Sequence, residues 1–300
     1  KKSGDAFHRT SFLAAVGIFH VDGWYKSKTE AGEGIKKTLV RFFIPSLYHH
    51  TKFFCFFVQM RVYDRGFAVF RFHHDGPDAL ILAEHYGDTS RWLGGDEWDT
   101  VMNYPFYLNL IDLLADEKIS VSQFVQNLGY LKGRLHKKCY PLMWNLIDSH
   151  DTARFLHLCK DNKKKQHLAA AFQLLLPGMP MIYYGDEYAM PGANDPDCRR
   201  GMYWDEEYQD KEMFEWYKRL LQVRKAHTCI VEGELAEAIT RDEDETIVLI
   251  RKNGEETIAL IFNCSDHTKE FKEYAQKQDL LTEKAFDGKV EAFDAAVIVL

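Results

Sequence analysis

Apolar runs that surface in a polar or charged tip recur through the middle of the chain. Asp78-Ala79-Leu80-Ile81-Leu82-Ala83 runs into Glu84-His85-Tyr86-Gly87-Asp88, and Thr100-Val101-Met102 runs into Asn103-Tyr104-Pro105. Met143-Trp144-Asn145-Leu146-Ile147 breaks into Asp148-Ser149-His150-Asp151-Thr152-Ala153-Arg154, and Met181-Ile182-Tyr183-Tyr184 into Gly185-Asp186-Glu187. Short runs of this kind predict buried parallel strands, with the polar residues at their C-terminal ends. Between them the period becomes helical. Ser120 opens a helix, with Gln123 placed for a capping box and Val121, Phe124, Val125, Leu128 and Leu131 on one face. A second helix is predicted near 166–176, stopped by Pro177-Gly178, and a third carries Met213, Trp216, Tyr217, Leu220 and Val223. The alternation predicts an α/β fold with a parallel sheet.

The pattern changes at both ends. After about Thr228, two apolar runs, 246–251 and 257–262, flank Lys252-Asn253-Gly254-Glu255. Asn-Gly is the strongest short hairpin signal, and 295–300 reads as a closing strand, so 229–300 is predicted to be a small antiparallel β domain. Residues 1–75 show neither a helical period nor strand alternation, and no element is assigned there. The run from Arg41 to Val58 is apolar enough to raise a membrane span, but Pro45, His49, His50 and Lys52 break it. A spanning helix needs about 20 mostly apolar residues, so no membrane association is expected. The predicted division is 1–75, 76–228 and 229–300.

Bulk composition narrows the function classes. Apolar residues make up 46% and charged residues 28%, an ordinary soluble-globular balance. A net charge of −7 and the lack of a Lys/Arg stripe with interleaved aromatics argue against nucleic-acid binding. The aromatic fraction of 14% suits a wide core and also suits stacking on sugar faces. The six cysteines are scattered with no Cys-x-x-Cys pair, which predicts free thiols in a reducing, cytoplasmic setting and no zinc site.

Chemistry is expected at the strand ends. Glu84 and Asp151 are carboxylates two strands apart, and glycosidic hydrolysis calls for two carboxyl groups across the scissile bond. Solvated acids are common in such loops, so residue type alone favours the plainer reading. His150 could bind a substrate hydroxyl or be an ordinary loop histidine. Arg154 could orient a neighbouring carboxylate or bridge at the surface. The loop Asn194-Asp195-Pro196-Asp197-Cys198-Arg199-Arg200 could line a cleft rim or be ordinary surface.

Taken together, Glu84-His85-Tyr86-Gly87-Asp88, Asp99-Thr100-Val101-Met102-Asn103-Tyr104-Pro105, Ser149-His150-Asp151-Thr152-Ala153-Arg154, the stretch from Pro177 to Glu187, and Asp195-Pro196-Asp197-Cys198-Arg199-Arg200-Gly201-Met202 resemble the α-amylase superfamily. The resemblance is strongest to its cyclomaltodextrinase, neopullulanase and maltogenic amylase group. It covers about residues 75–300, with the motifs in the family's order. It implies the C-terminal half of a (β/α)8 TIM-type barrel followed by a small antiparallel β domain. It also implies a retaining hydrolase of α-1,4-linked maltodextrins, cyclodextrins or pullulan, with no cofactor in the chemistry. Glu84 resembles the general acid/base, Asp151 the transition-state-stabilising carboxylate and His150 a sugar-hydroxyl ligand. His85, Asn103, Tyr104, Arg154, Asp197 and Arg200 are the further substrate-binding candidates it suggests. A structural calcium and a homo-oligomer of the full-length protein stay open.

The family's nucleophilic aspartate sits in an Arg-x-Asp setting that this sequence does not complete. Asp22-Gly23-Trp24 is followed by Tyr25-Lys26-Ser27, and Arg71-Phe72 is followed by His73. A whole barrel takes about 250 residues, whereas four strand–helix units are visible here. The expectation is a C-terminal part of a longer enzyme. An amylase-like scaffold without activity, binding glucan or a partner, is the alternative, and retention of both Glu84 and Asp151 speaks against it.

Overall fold

The computed structural model describes the backbone of residues 37–42, 56–63 and 67–72, and residues 80–94 and 97–300 in full. Strands β1 (Lys37–Phe42), β2 (Phe56–Tyr63) and β3 (Phe67–Phe72) form an antiparallel meander that continues onto β4 (Ile81–Glu84). From β4 onward the pairing is parallel. β4 pairs with β5 (Thr100–Val101), a parallel bridge joins Met102 to Trp144 at the start of β6 (Trp144–Leu146), and β6 pairs with β7 (Met179–Met181).

The parallel run follows the order expected from the sequence, but the edge before it does not. β3 lies antiparallel to β4, with Ala68 opposite Glu84, where a barrel would place a parallel neighbour. Among the described residues β7 pairs only with β6, so the described strands do not close into a barrel. Pairing with the meander covers the free edge that β4 would otherwise present.

Helices fill the connections. α1 (Tyr104–Leu110) begins straight after β5, with the Asn103 side chain capping Phe106 N, and runs on as a wider turn over Ile111–Ala115. The sequence pattern shows only a polar strand end there. α2 (Val121–Arg134) is capped by Ser120 as expected, although Gln123 does not close the box; its amide donates to Asn127 Oδ1 at 2.8 Å. α3 is the short Phe155–Leu158 turn, α4 spans Lys163–Leu175 and α5 Lys211–Ala226, the last two capped by Asn162 and Asp210. The strand expected at 181–184 lies earlier, at β7. Asp186 Oδ2 accepts from Tyr183 N at 3.2 Å, so that amide is taken out of the ladder by the turn itself.

α6 (Cys229–Glu232) leads into a six-stranded antiparallel sheet. Its strands are β8 (Glu234–Arg241), β9 (Thr246–Asn253), β10 (Glu256–Asn263), β12 (Gln278–Asp279), β13 (Lys284–Ala285) and β15 (Asp294–Val299), with β11 (Lys269–Glu270) and β14 (Lys289–Val290) pairing beside it. The expected hairpin is β9–β10, turned by Gly254 at φ +60°, a conformation glycine adopts without a Cβ clash. Alternate residues of these strands face opposite ways. Ile247, Leu249, Leu260 and Phe262 join one core with α4 and α5, while Val248, Ile261 and Ile298 pack on Phe271, Tyr274 and Phe286. Phe172 of α4 stacks on Phe262 of β10 at 4.2 Å, so the core runs across the predicted boundary at 228.

Among the described residues no helix is long and apolar enough to cross a membrane, and Cys139, Cys159, Cys198, Cys229 and Cys264 are all unpaired thiols. Cys55, the stretch from Asp22 to Ser27 and His73 lie outside the described residues.

Candidate active site

The ends of β4 and β6 bring together three of the residues singled out from the sequence. Glu84 is the last residue of β4, and the tip after β6 carries His150 and Asp151. One ligand atom from each of Glu84, His150 and Asp151 falls within 4.8 Å of the others. That spacing is short enough to hold one cation. It is also the crowding that sets a catalytic carboxyl group apart from a surface acid.

The tip is folded tightly by its own short polar side chains. Ser149 N donates to Thr152 Oγ1 at 3.0 Å, Thr152 Oγ1 donates back to the Ser149 carbonyl at 3.3 Å, and Asp151 N donates to Ser149 Oγ at 3.2 Å. Asp148 stays inside and caps the following helical turn, accepting from Phe155 N at 2.6 Å. The turn therefore sends Asp148 into the core and lifts Asp151 out.

Burial holds the Glu84 carboxyl up at about 7, with the nearby Asp151 carboxylate adding to the rise and the Tyr104 hydroxyl opposing it. Taking a charge out of water disfavours the ionised form, and a second negative charge does the same. Tyr104, itself fully buried, places its hydroxyl 3.1 Å from Glu84 Oε1. His150 Nε2 lies 3.3 Å from Asp151 Oδ1. Burial keeps the imidazole below its ordinary value, with Asp151 pulling the other way and Arg199 adding to the lowering. The cluster thus holds a Glu84 carboxyl group that keeps its proton up to about pH 7, the Asp151 carboxyl group and an imidazole biased towards its neutral form, within 4.8 Å of one another.

The other candidates divide. Tyr104 is in the cluster as a ligand of Glu84. His85 packs edge-on to Trp92 at 5.4 Å. Asp197 and Arg200 tie their own loop: Asp197 Oδ2 accepts from Ala193 N at 2.7 Å and its Oδ1 pairs with Arg200 at 2.6 Å. Two further candidates are buried. Asn103 is 3% exposed, caps α1 and donates to Asn145 Oδ1 at 2.8 Å, so its amide is committed to the frame. Arg154 is sealed in, bound to Asp186 Oδ1 at 2.8 Å, the Tyr184 carbonyl at 2.7 Å and the Cys198 carbonyl at 3.2 Å, under the ring of Tyr183. Of the two roles left open for it, orienting a carboxylate is the one that this geometry fits.

Three contributors stand inside the quoted motifs without being candidates by residue type. Arg199 donates from Nε to the His150 carbonyl at 2.9 Å and places Nη2 3.1 Å from Asp151 Oδ1, while Nε also lies 2.9 Å from Asp195 Oδ1. Tyr86 lays its ring on Tyr104 at 3.7 Å, with its outer side exposed. Ser149 meets both Tyr104 and the Asp151 amide. Each depends on which strand ends become neighbours, and a linear pattern does not state that.

A family model described as the alpha amylase catalytic domain matches residues 59–209. A cyclomaltodextrinase of Geobacillus thermopakistaniensis (strain MAS1) is 39% identical over 194 residues, 65% of this chain and 33% of that protein. Neopullulanase 2 of Thermoactinomyces vulgaris is 38% identical over 187 residues, 62% of this chain and 32% of that one. The solved structure of a cyclomaltodextrinase is similar with a TM-score of 0.69 at 30% identity, over 74% of this chain and 41% of that chain. The ligand-free cyclic alpha-maltosyl-(1→6)-maltose hydrolase from Arthrobacter globiformis gives a TM-score of 0.64 at 27% identity, over 73% and 49%. The chain spans about a third of the length of the curated relatives it matches.

Proposed function

The chain belongs to the α-amylase catalytic-domain family, and on that footing we propose that it is a retaining α-glucan glycoside hydrolase acting on α-1,4-linked maltodextrins, cyclodextrins or pullulan. The observation that carries the reading is the convergence of Glu84, Asp151 and His150 within 4.8 Å, with Glu84 held up at about 7. A carboxyl group with that affinity for its proton can protonate the leaving oxygen at neutral pH and take a proton back from water afterwards. Asp151 and His150 are suited to hold hydroxyls of the same sugar ring more tightly as it flattens towards an oxocarbenium ion. The retaining reaction also needs a carboxylate to attack the anomeric carbon, and that role is assigned to neither Glu84 nor Asp151. We read β4–β7 as strands of the C-terminal half of the family's barrel. No cofactor takes part in this chemistry, and the free thiols suit a reducing, cytoplasmic compartment.

The test is release of reducing sugar from maltodextrin and cyclodextrin by the purified chain, beside Glu84→Gln. Turnover by the wild type and its loss in the variant is expected. Equal traces from both would favour the second reading, an amylase-like glucan-binding scaffold, which the uncompleted Arg71-Phe72-His73 stretch keeps in play.

A further inference from the structure

The hydroxyls of Tyr104 and Ser149 join Glu84 to the backbone that carries Asp151. Tyr104 Oη lies 3.1 Å from Glu84 Oε1 and 3.2 Å from Ser149 Oγ, and Asp151 N donates to Ser149 Oγ at 3.2 Å. Both residues are almost wholly out of contact with solvent, at 0% and 1% exposure. A tyrosine or serine hydroxyl has one hydrogen to give. If Tyr104 gives its hydrogen to Glu84, the Tyr104 oxygen is satisfied by the hydrogen of Ser149. Ser149 in turn is satisfied by the Asp151 amide. Every donor then points one way, from the amide of Asp151 to the carboxyl of Glu84.

We propose that Tyr104 and Ser149 are positioning residues for the proposed acid/base: their chain of donors holds Glu84 Oε1 as an acceptor and leaves Oε2 as the oxygen that carries and returns the proton. The assignment rests on the reading of Glu84 as that acid/base. An acid that must later act as a base gains from a contact that survives both states. A donor on Oε1 does so, because the protonated carboxyl group can still accept there. It leaves the second oxygen outside the bridge, with an Asp151 carboxyl oxygen within 4.8 Å of the Glu84 carboxyl group. The other groups around the bridge are Tyr86, whose ring stacks on Tyr104 and whose hydroxyl also meets the Tyr104 hydroxyl, and the His150 imidazole beside Asp151.

The test is a carbon-13 NMR titration of the Glu84 side-chain carboxyl in the full chain, for wild type, Tyr104→Phe, Ser149→Ala and the double variant. Tyr104→Phe removes the donor to the anion and is expected to raise the midpoint by about one pH unit. Ser149→Ala touches Glu84 nowhere, yet should raise the midpoint by a smaller step in the same direction, and Ser149→Thr should restore it. The double variant should match Tyr104→Phe alone. An unmoved midpoint in Ser149→Ala, or single shifts that add in the double variant, overturns the bridge. Should Tyr104→Phe fail to fold, Ser149→Ala and Ser149→Thr decide alone. Activity separates the two ideas: a wild type that releases no sugar refutes the hydrolase reading, while the titration still decides whether the hydroxyls act in series. In an active enzyme, Ser149→Ala should lower kcat with KM unchanged.

Discussion

Arg154 and Asp186 face each other inside the protein, Nη1 to Oδ1 at 2.8 Å, with side chains 1% and 0% exposed. The pair sits below the tip that bears His150 and Asp151. It also ties β7's end to that tip through the Tyr184 carbonyl. Burial pushes the Asp186 carboxyl up, and the Arg154 guanidinium opposes that rise. Breaking a buried pair from one side leaves the other charge uncompensated, at about 3–5 kcal/mol. Arg154→Leu should lower the free energy of unfolding by that order, read from the urea midpoint. A loss below about 1 kcal/mol would show that the pair is not sealed.

Glu84→Gln should separate stability from activity. With its folded value raised to about 7 from an ordinary 4.5, Glu84 burdens the folded state only once the unfolded chain ionises. The wild type's relative stability is therefore full below about pH 4.5 and is lost as pH rises through about 7. The variant cannot ionise. It should match the wild type near pH 4 and exceed it by up to about 3 kcal/mol near pH 8. Thermal unfolding at the two pH values checks this, and a constant difference would refute the raised carboxyl.

Activity should follow the same group. The rate on a cyclodextrin should hold up to near pH 7 and decline above it, as the acid loses the proton it must give. A basic limb placed near pH 9 would point to a different acid.

Arg199 contributes through its fork, reaching the His150 carbonyl and the Asp151 carboxylate at once. Arg199→Ala should lower kcat by roughly tenfold to a hundredfold, because small misplacements of reacting groups are costly. Arg199→Lys should restore little, since an ammonium cannot reproduce the planar fork. Steady-state kinetics on maltodextrin would show it, and full activity in the lysine variant would reduce Arg199 to a surface charge.

Asn103→Ala tests whether a suggested substrate ligand belongs to the frame. It removes the α1 cap and the partner of Asn145, and should cost about 1–3 kcal/mol of stability. Affinity for a non-hydrolysed maltooligosaccharide, measured by calorimetry, should be unchanged in the folded variant.

The sequence was readable where one short stretch decides the outcome. Asn253-Gly254 names its hairpin, Ser120 names its helix start, and the apolar runs ending on Glu84 and on His150-Asp151 name two strand ends. The resemblance then placed those ends at one site. What could not be read depends on neighbours far along the chain. Asn103 and Arg154 look like site residues because they are polar at strand ends, and only packing shows them turned inward. The antiparallel meander before β4 was equally hidden, because its run of aromatics carries neither period clearly. Ser149 looks like a turn residue until the Tyr104 hydroxyl arrives from the start of α1.

The stack of Phe172 on Phe262 has a consequence for how the molecule comes apart. A helix of the parallel region and a strand of the C-terminal sheet supply two sides of one apolar interior, so neither can shed the other without wetting Leu168, Leu249, Leu260 and Val297. Cutting the chain after residue 228 would then leave the first piece insoluble. Heating the intact chain should melt helices and C-terminal strands in a single calorimetric peak.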